Sequence, residues 1–384
     1  MKKLLNIVLA VAVLVSFSGL SSANASEKYV AGGFEASGHV VSGFGYQHQQ
    51  STRHQAGALQ TNSEGASSFG VLGRYANTAV VAASNQDDFR FFVDEVELDL
   101  AKSWGENISI RADLEFSPAS GAYGAAGVRT EQAYVTTNLA IANGVEVLFG
   151  RFNAPNGFES IDVVDNSTIS QSAIIRGGLR PVSLTGAKLY YAFSDMVDWH
   201  FWLSNNATTG AVKTITDTPS VGWRLGFNWG DEGNESTLGF SAFAGAEQGT
   251  KSDFTFGTDI DLNWWLTDSF ALGAELLFRR DNGVAGGVDA ETLAGLLNLH
   301  YMFSDVWDGT LKYAYTKDFD NATTGYTLLG FEGSAHEISL AGGYAIADDA
   351  KLMLEGRFDA LKTGAGANVK SYDYGAAVGF AYNF

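Results

Sequence analysis

Charged residues in this chain recur at every second position inside apolar stretches. Glu95, Glu97 and Asp99 alternate with valine and leucine in "VDEVELDL", Arg111, Asp113 and Glu115 in "ISIRADLEF", and Asp259 and Asp261 in "FTFGTDIDLNWW". Arg151, Lys188, Arg224, Glu275, Arg279, Lys312, Glu355, Arg357 and Asp373 read with the same rhythm. A spacing of two puts side chains on one face of a strand. Carboxylates and guanidinium groups that face one another across water set up a transverse field, which sorts solutes by charge and dipole.

Bond-making chemistry finds no such support. The histidines His39, His48, His54, His200, His300 and His336 fall in no catalytic motif, so the chain reads as a non-enzyme. His48 and His54 are two ligands without a third, which leaves no metal site and no cofactor. With no cysteine, disulfides, thiolate metal sites, lipid-modified cysteine and cysteine nucleophiles are all excluded.

The elements that carry these charges are strands. In "DFTFGTDIDLNWWL" one face reads Phe254, Phe256, Thr258, Ile260, Leu262, Trp264 and Leu266. Aromatics near both ends with aliphatics between is the order expected across a bilayer, where aromatic girdles sit at the two interfaces. The same period-two alternation recurs from Ile108 to Phe116, Val221 to Trp229 and Phe34 to Tyr46. A soluble sandwich would turn threonine, lysine, serine and glutamate outward instead. Beyond residue 25 no apolar run reaches the length of a spanning helix, so insertion requires a closed barrel.

Short turns fall at 103–107, 142–144, 194–198, 230–236, 266–269, 304–308 and 347–350. Longer segments rich in Gly, Asn, Asp and Thr fall at 48–88, 118–128, 153–181, 205–219, 247–252, 280–290, 316–334 and 361–371. Seven turns alternating with eight loops predict an all-β, transmembrane, antiparallel up-and-down barrel of about 16 strands, with short periplasmic turns and long extracellular loops. The least regular strands are those near 129–140 and 199–207. A barrel of that size leaves an aqueous bore, and the charges above are predicted to line it.

Lys2 and Lys3, the apolar run from Leu4 to Val15 and Ala23-Asn24-Ala25 predict a cleaved signal peptide over residues 1–25, leaving 26–384 as one barrel domain. The formal charge of −19 opposes nucleic-acid binding and attracts cations.

The chain ends "YDYGAAVGFAYNF", with Phe380, Tyr382 and Phe384 on one face and Gly375, Ala377, Gly379 and Ala381 on the other. A final phenylalanine preceded by alternating aromatics resembles the terminal signature of outer-membrane barrels, which the barrel assembly machinery reads in that class. The stretch 130–162 resembles OmpL-like β-barrel porins and, more distantly, phosphate-selective porins. The residues that carry this likeness are Glu131-Gln132-Ala133-Tyr134, Gly150-Arg151-Phe152, Pro155-Asn156-Gly157 and Glu159. The resemblance implies a diffusion channel in the outer membrane of a Gram-negative bacterium, in contact with outer-membrane lipid and open to oligomerisation as a trimer.

In porin-like barrels the third long loop folds inward. Carried over, segment 153–181 narrows the bore, Glu159, Asp162 and Asp165 oppose bases such as Arg111 and Arg151, and Arg176 and Arg180 lie at the far end of the loop. Inward acids outnumber bases, which predicts passage of small hydrophilic solutes and ions with a weak cation preference. The alternatives are a substrate-selective (anion or phosphate) porin and an adhesion barrel acting through the long first loop.

Overall fold

Backbone polar groups dictate the architecture, since no water is present in hydrocarbon to pair an exposed N–H or C=O. A computed structural model describes residues 29–31, 33–51, 85–117, 127–141, 144–208, 217–231, 233–246, 254–284, 288–319, 333–363 and 369–384. The expected signal peptide, His54 and most of each long loop except the third lie outside the described residues.

Sixteen strands form one antiparallel wall. They are β1 Phe34–Ser51, β2 Asn85–Trp104, β3 Ile108–Ser117, β4 Gly127–Leu139, β5 Val145–Asn153, β6 Ser183–Ser194, β7 Val197–Ser204 and β8 Ser220–Trp229. The second half comprises β9 Ser236–Gly245, β10 Thr255–Thr267, β11 Phe270–Val284, β12 Val288–Met302, β13 Trp307–Asp318, β14 Gly333–Ala347, β15 Ala350–Thr363 and β16 Val369–Asn383. A further three-residue strand, Tyr29–Ala31, folds back on β1.

Each strand pairs with its sequence neighbour, and β16 pairs with β1 from Ser371 opposite Ser51 to Asn383 opposite His39. Phe384 extends that seam. Its N–H donates to the Gly38 carbonyl at 2.9 Å, and Gly38 N–H donates to the Phe384 carbonyl at 3.0 Å. The sheet is thereby closed, which removes the unpaired edges an open sheet would expose to lipid.

The short turns at 103–107, 194–198, 266–269, 304–308 and 347–350 fall where the sequence puts them, while residues 142–143 and 232 of the other two lie outside the described residues. The irregular segments near 129–140 and 199–207 are strands β4 and β7. Several long connections are shorter than read: strand pairing continues to Val284 and resumes at Val288, so only 285–287 intervene where 280–290 was expected, and 316–334 shrinks to 319–332. Strands likewise reach Ser51 and Thr363 and restart at Asn85 and Val369. Gly, Asn and Asp mark turns by composition, but cross-strand pairing extends through them.

The two faces separate cleanly. On β14, Glu337, Ser339 and Ala341 are buried while Ile338 and Leu340 are exposed. Phe256, Ile260 and Trp264 on β10 and Tyr374 and Phe380 on β16 are also exposed. An apolar belt turned outward with charges turned inward is the arrangement hydrocarbon outside and water inside require. Leu340→Arg is expected to cost about 2–4 kcal/mol, as for a cation near the bilayer midplane, in urea titrations of chain folded into lipid vesicles. An unchanged unfolding midpoint would mean that this face does not meet lipid.

Candidate functional site

Two β-bulges set the phase of the inner wall. Val41 pairs with Glu95 and Ser42 with Val93, leaving Asp94 as the extra residue on β2. Asp113 pairs with Gln132 and Leu114 with Thr130, leaving Glu131 as the extra residue on β4. A bulge shifts the alternation by one. Phe89, Phe91 and Val93 therefore face outward before Asp94, and Glu95 and Glu97 are buried after it.

The segment 154–182, which joins β5 to β6, lies against the inner wall. Its start is Pro155-Asn156-Gly157, where Gly157 has φ +87 and a Cβ would meet the Arg180 guanidinium at 2.1 Å. Only glycine fits that position. A 3₁₀ turn at Val163–Asp165 and a four-residue helix, α1 Ala173–Arg176, follow. Ser172 caps α1 by accepting from the Ile174 N–H at 3.3 Å.

Wall glutamates on four strands hold this segment by its backbone. Glu95 on β2 accepts from Val163 N–H at 2.9 Å, Glu275 on β11 from Phe158 N–H at 2.8 Å, Glu355 on β15 from Ser170 N–H at 2.9 Å and Glu337 on β14 from Ala173 N–H at 3.2 Å. Charge-assisted bonds of this kind are about twice as strong as neutral ones. Wall cations complete the attachment. Lys312 on β13 donates to Glu159 at 2.8 Å and to Thr168 Oγ1 at 2.7 Å. Arg357 on β15 reaches the Ser170 hydroxyl and the Gln171 carbonyl, each at 2.9 Å, and Glu337 at 2.7 Å. From the segment itself, Arg180 donates to Glu275 at 2.9 Å and to the Glu159 carbonyl at 2.6 Å.

Apolar contacts fill the remainder. Ala173, Ile174 and Leu179 pack on Leu277, Ala294, Leu296, Ala314 and Ala335 of the wall, and Val163 and Ile169 on Val41, Met353, Ala377 and Ala381. A Cβ on Gly379 would meet Ile169 at 3.1 Å. The small residues on the inner face of β16 therefore make room for this segment. Beneath it a cavity of about 500 Å³ opens toward the short-turn rim, lined by residues that include Asp165, Ser167, Arg224, Asp261, His300 and Lys351.

The remaining sequence-predicted residues distribute as follows. Arg111 donates to Asp113 at 2.7 Å and lies 3.6 Å from Asp99, and Glu115 pairs with Arg129. Arg224 pairs with Asp261 at 2.7 Å, Asp259 accepts from Ser241 at 3.5 Å and Arg279 donates to Asp281 at 2.8 Å. Lys188 lies over the Phe152 ring at 5.7 Å. Arg176 is buried in α1. On the outer face, Tyr382 stacks with Phe384 and Phe380 is exposed.

Two expectations fail. Glu159 does not oppose Arg111 or Arg151, because the segment crosses to β11–β15 and brings Glu159 to Lys312. Arg151 does not line the lumen: it pairs with Ala133 and Thr185, on the face of exposed Phe149 and opposite to buried Leu148 and Phe152. Its Nε donates to the Glu131 carbonyl at 3.1 Å. Each face of "VEVLFGRF" carries one charge among mostly apolar residues, Glu146 on one and Arg151 on the other, so alternation there carries no phase. Sequence reasoning also passed over Glu337, although "SAHEISLA" alternates; Glu131 and Asp94 were hidden by their bulges.

A family description, "Putative beta-barrel porin-2, OmpL-like", matches residues 33–382. Among solved structures, the outer-membrane channel DcaP of Acinetobacter baumannii is similar at 13% identity and TM-score 0.61, covering 94% of this chain and 100% of its own. The anion-selective porin of Comamonas acidovorans is similar at 14% and 0.58, covering 91% and 99%. The trimer form of OmpT from Vibrio cholerae is similar at 10% and 0.57, also covering 91% and 99%. No curated protein matches the sequence.

Burial raises the Glu159 carboxyl, but Lys312 and Ser172 outweigh it and hold the group below the usual glutamate range. Protonation therefore favours the detached segment. This contribution is full above about pH 4.3, the ordinary glutamate value, and is lost as pH falls through the lower folded value. Hydrogen exchange of the 154–182 amides, corrected for intrinsic rates, is expected to accelerate only below that range. Lys312→Met, which strands a buried carboxylate at a cost of about 3–5 kcal/mol, is expected to accelerate it at pH 7. Equal protection in both chains at pH 7 would contradict the attachment described.

Proposed function

The chain belongs to the OmpL-like family of putative beta-barrel porins, and from that membership we propose that it conducts small hydrophilic solutes and ions by passive diffusion, with a weak preference for cations. The family and its structural neighbours are outer-membrane proteins of Gram-negative bacteria, channels rather than enzymes, and this chain is an outer-membrane β-barrel. The single observation that carries the diffusion reading is the inner segment 154–182. It is fastened by wall glutamates and cations along β2 and β11–β15, so the proposed path runs between this segment and the wall that carries Arg111, Lys188 and Arg224.

The cation preference is weak because so many inward acids are already engaged. Glu95, Glu275, Glu337 and Glu355 are committed to backbone N–H groups of the segment. With no metal bound, the acids along β2 and β3 at Glu97, Asp99, Asp113 and Glu115 tip the balance against Arg111 and Arg129. In this reading Asp162 and Asp165 add negative charge at the constriction, while Glu159, Arg176 and Arg180 are structural.

Arg151 supports a homo-oligomer. A cation on the lipid face, here third from the end of β5, is expensive in hydrocarbon and is covered if a second copy packs there, the trimer form of OmpT offering a precedent in the fold. Sedimentation in density-matched detergent is expected to give three chains per particle, and a monomer would contradict this.

In planar bilayers the purified protein is expected to give discrete ohmic conductance steps that scale with salt, and a small reversal potential of cation-selective sign in a salt gradient. A clear anion-selective potential would overturn the selectivity; a folded, inserted protein without conductance would overturn the channel.

A further inference from the structure

Like charges face each other repeatedly on the inner wall: Asp261 opposes Glu275, and Asp359 opposes both Glu337 and Asp373, with Arg224 on Asp261, Arg180 on Glu275 and Arg357 on Glu337 and Asp359. Glu97 on β2 pairs directly with Glu115 on β3, and Asp99 with Asp113. Such pairs are destabilising unless something neutralises them. The β4 bulge brings Glu131 to the same place. One carboxylate oxygen each of Glu97, Glu115 and Glu131 lie within 4.8 Å of one another, as do those of Glu97, Asp99 and Asp113. Glu97 belongs to both groups.

Among the described residues, the guanidinium groups of Arg111 and Arg129 attend these five carboxylates. Arg111 is held by Asp113 and Arg129 by Glu115 and Glu131. Glu97 sits between the two arginine pairs, is only 2% exposed, and its Oε2 has no hydrogen-bond partner among the described residues. A carboxylate oxygen withdrawn from water without a donor is costly. An acidic cluster alone is common, but Glu97 is buried, has an unpartnered oxygen and belongs to both groups, which a positive centre between the carboxylates would satisfy.

We propose that the inner wall across β2, β3 and β4 binds one hard divalent cation, Ca²⁺ in preference to Mg²⁺, through Glu97, Glu115 and Glu131. The preference follows from size. Ca²⁺ takes oxygens at about 2.3–2.6 Å, so opposed ligands lie up to about 5 Å apart, whereas Mg²⁺ needs a near-ideal octahedron at about 2.0–2.1 Å. Each of the three carboxylates offers one oxygen at this spacing, Glu115 and Glu131 also holding Arg129 and Glu131 accepting from Asn153 at 2.8 Å, and water fills the rest of a Ca²⁺ shell. Bound there, the ion offsets the repulsion between the paired acids and ties β4 to β2 across β3.

The test is calorimetric titration of chelator-stripped protein, folded in zwitterionic detergent free of lipopolysaccharide, with CaCl₂ at pH 7. One saturable site per chain is expected, weakened at least tenfold in Glu97→Gln and in Glu131→Gln and unchanged in Asp348→Asn, an exposed turn acid. Ca²⁺ is expected to raise the unfolding temperature of the wild type and not of Glu97→Gln. Absence of a saturable site, or equal affinity in Glu97→Gln, would overturn the proposal. So would a wild type insensitive to Ca²⁺ with Glu97→Gln the more stable chain, because Glu97 is then simply neutralised by a proton. Mg²⁺ displacing Ca²⁺ at equal concentration would overturn the choice of ion. None of these readouts depends on conduction.

Discussion

A peptide group in hydrocarbon has no solvent to bond, and the rest of this structure depends on that constraint. It forbids a free edge, so the first and last wall strands pair along most of their length and Phe384 carries the seam to the final residue. It forces strands to be consecutive and antiparallel, because short turns at one rim are the cheapest way to keep neighbours in register. It also divides the side chains between two media. Ile338 and Leu340 turn one way and Glu337 and Ser339 the other.

Closure creates a second problem, since a sixteen-strand wall encloses more space than its own side chains fill. The segment 154–182 occupies part of it. Its backbone donors, which an irregular path leaves unpaired, are taken up by Glu95, Glu275, Glu337 and Glu355, and its apolar side chains rest on alanines and glycines of the opposite wall. The same inward carboxylates that read as pore lining are thus also the fasteners of the segment. Charge and architecture share one set of residues, and the excess acid that remains gathers around Glu97.

The strand rhythm and the turns were legible in the sequence because each strand meets two different solvents, which writes a period of two into residue type. Phase was legible only where one face was polar. In "VEVLFGRF" each face carries one charge, Glu146 on one and Arg151 on the other, so residue type does not tell inside from outside there, and Arg151 faces lipid. At Asp94 and Glu131 a single extra residue changes the phase without altering composition, so the bulges appear only when the partner strand is present. The ends of β11 and β12 ran past 280–290 because pairing, which the local sequence does not encode, overrode turn-forming residues. That the third long loop packs inward came from resemblance; that its Glu159 finds Lys312 rather than Arg111 depends on where the segment crosses, which no spacing in the sequence records. The small inner face of β16 was visible from the start, but its reason, Ile169, lies two hundred residues away in the chain.

The central claim is that alternate residues of one strand touch lipid and water. The chain has no cysteine, so single cysteines along 336–341 of β14 can carry a spin label without background. In the folded protein in vesicles, labels at 338 and 340 are expected to be relaxed by lipid-soluble oxygen and shielded from a water-soluble nickel chelate, while labels at 337, 339 and 341 lose the oxygen response. A profile without period two, or one in which 338 and 340 are the positions hidden from lipid, would contradict the account.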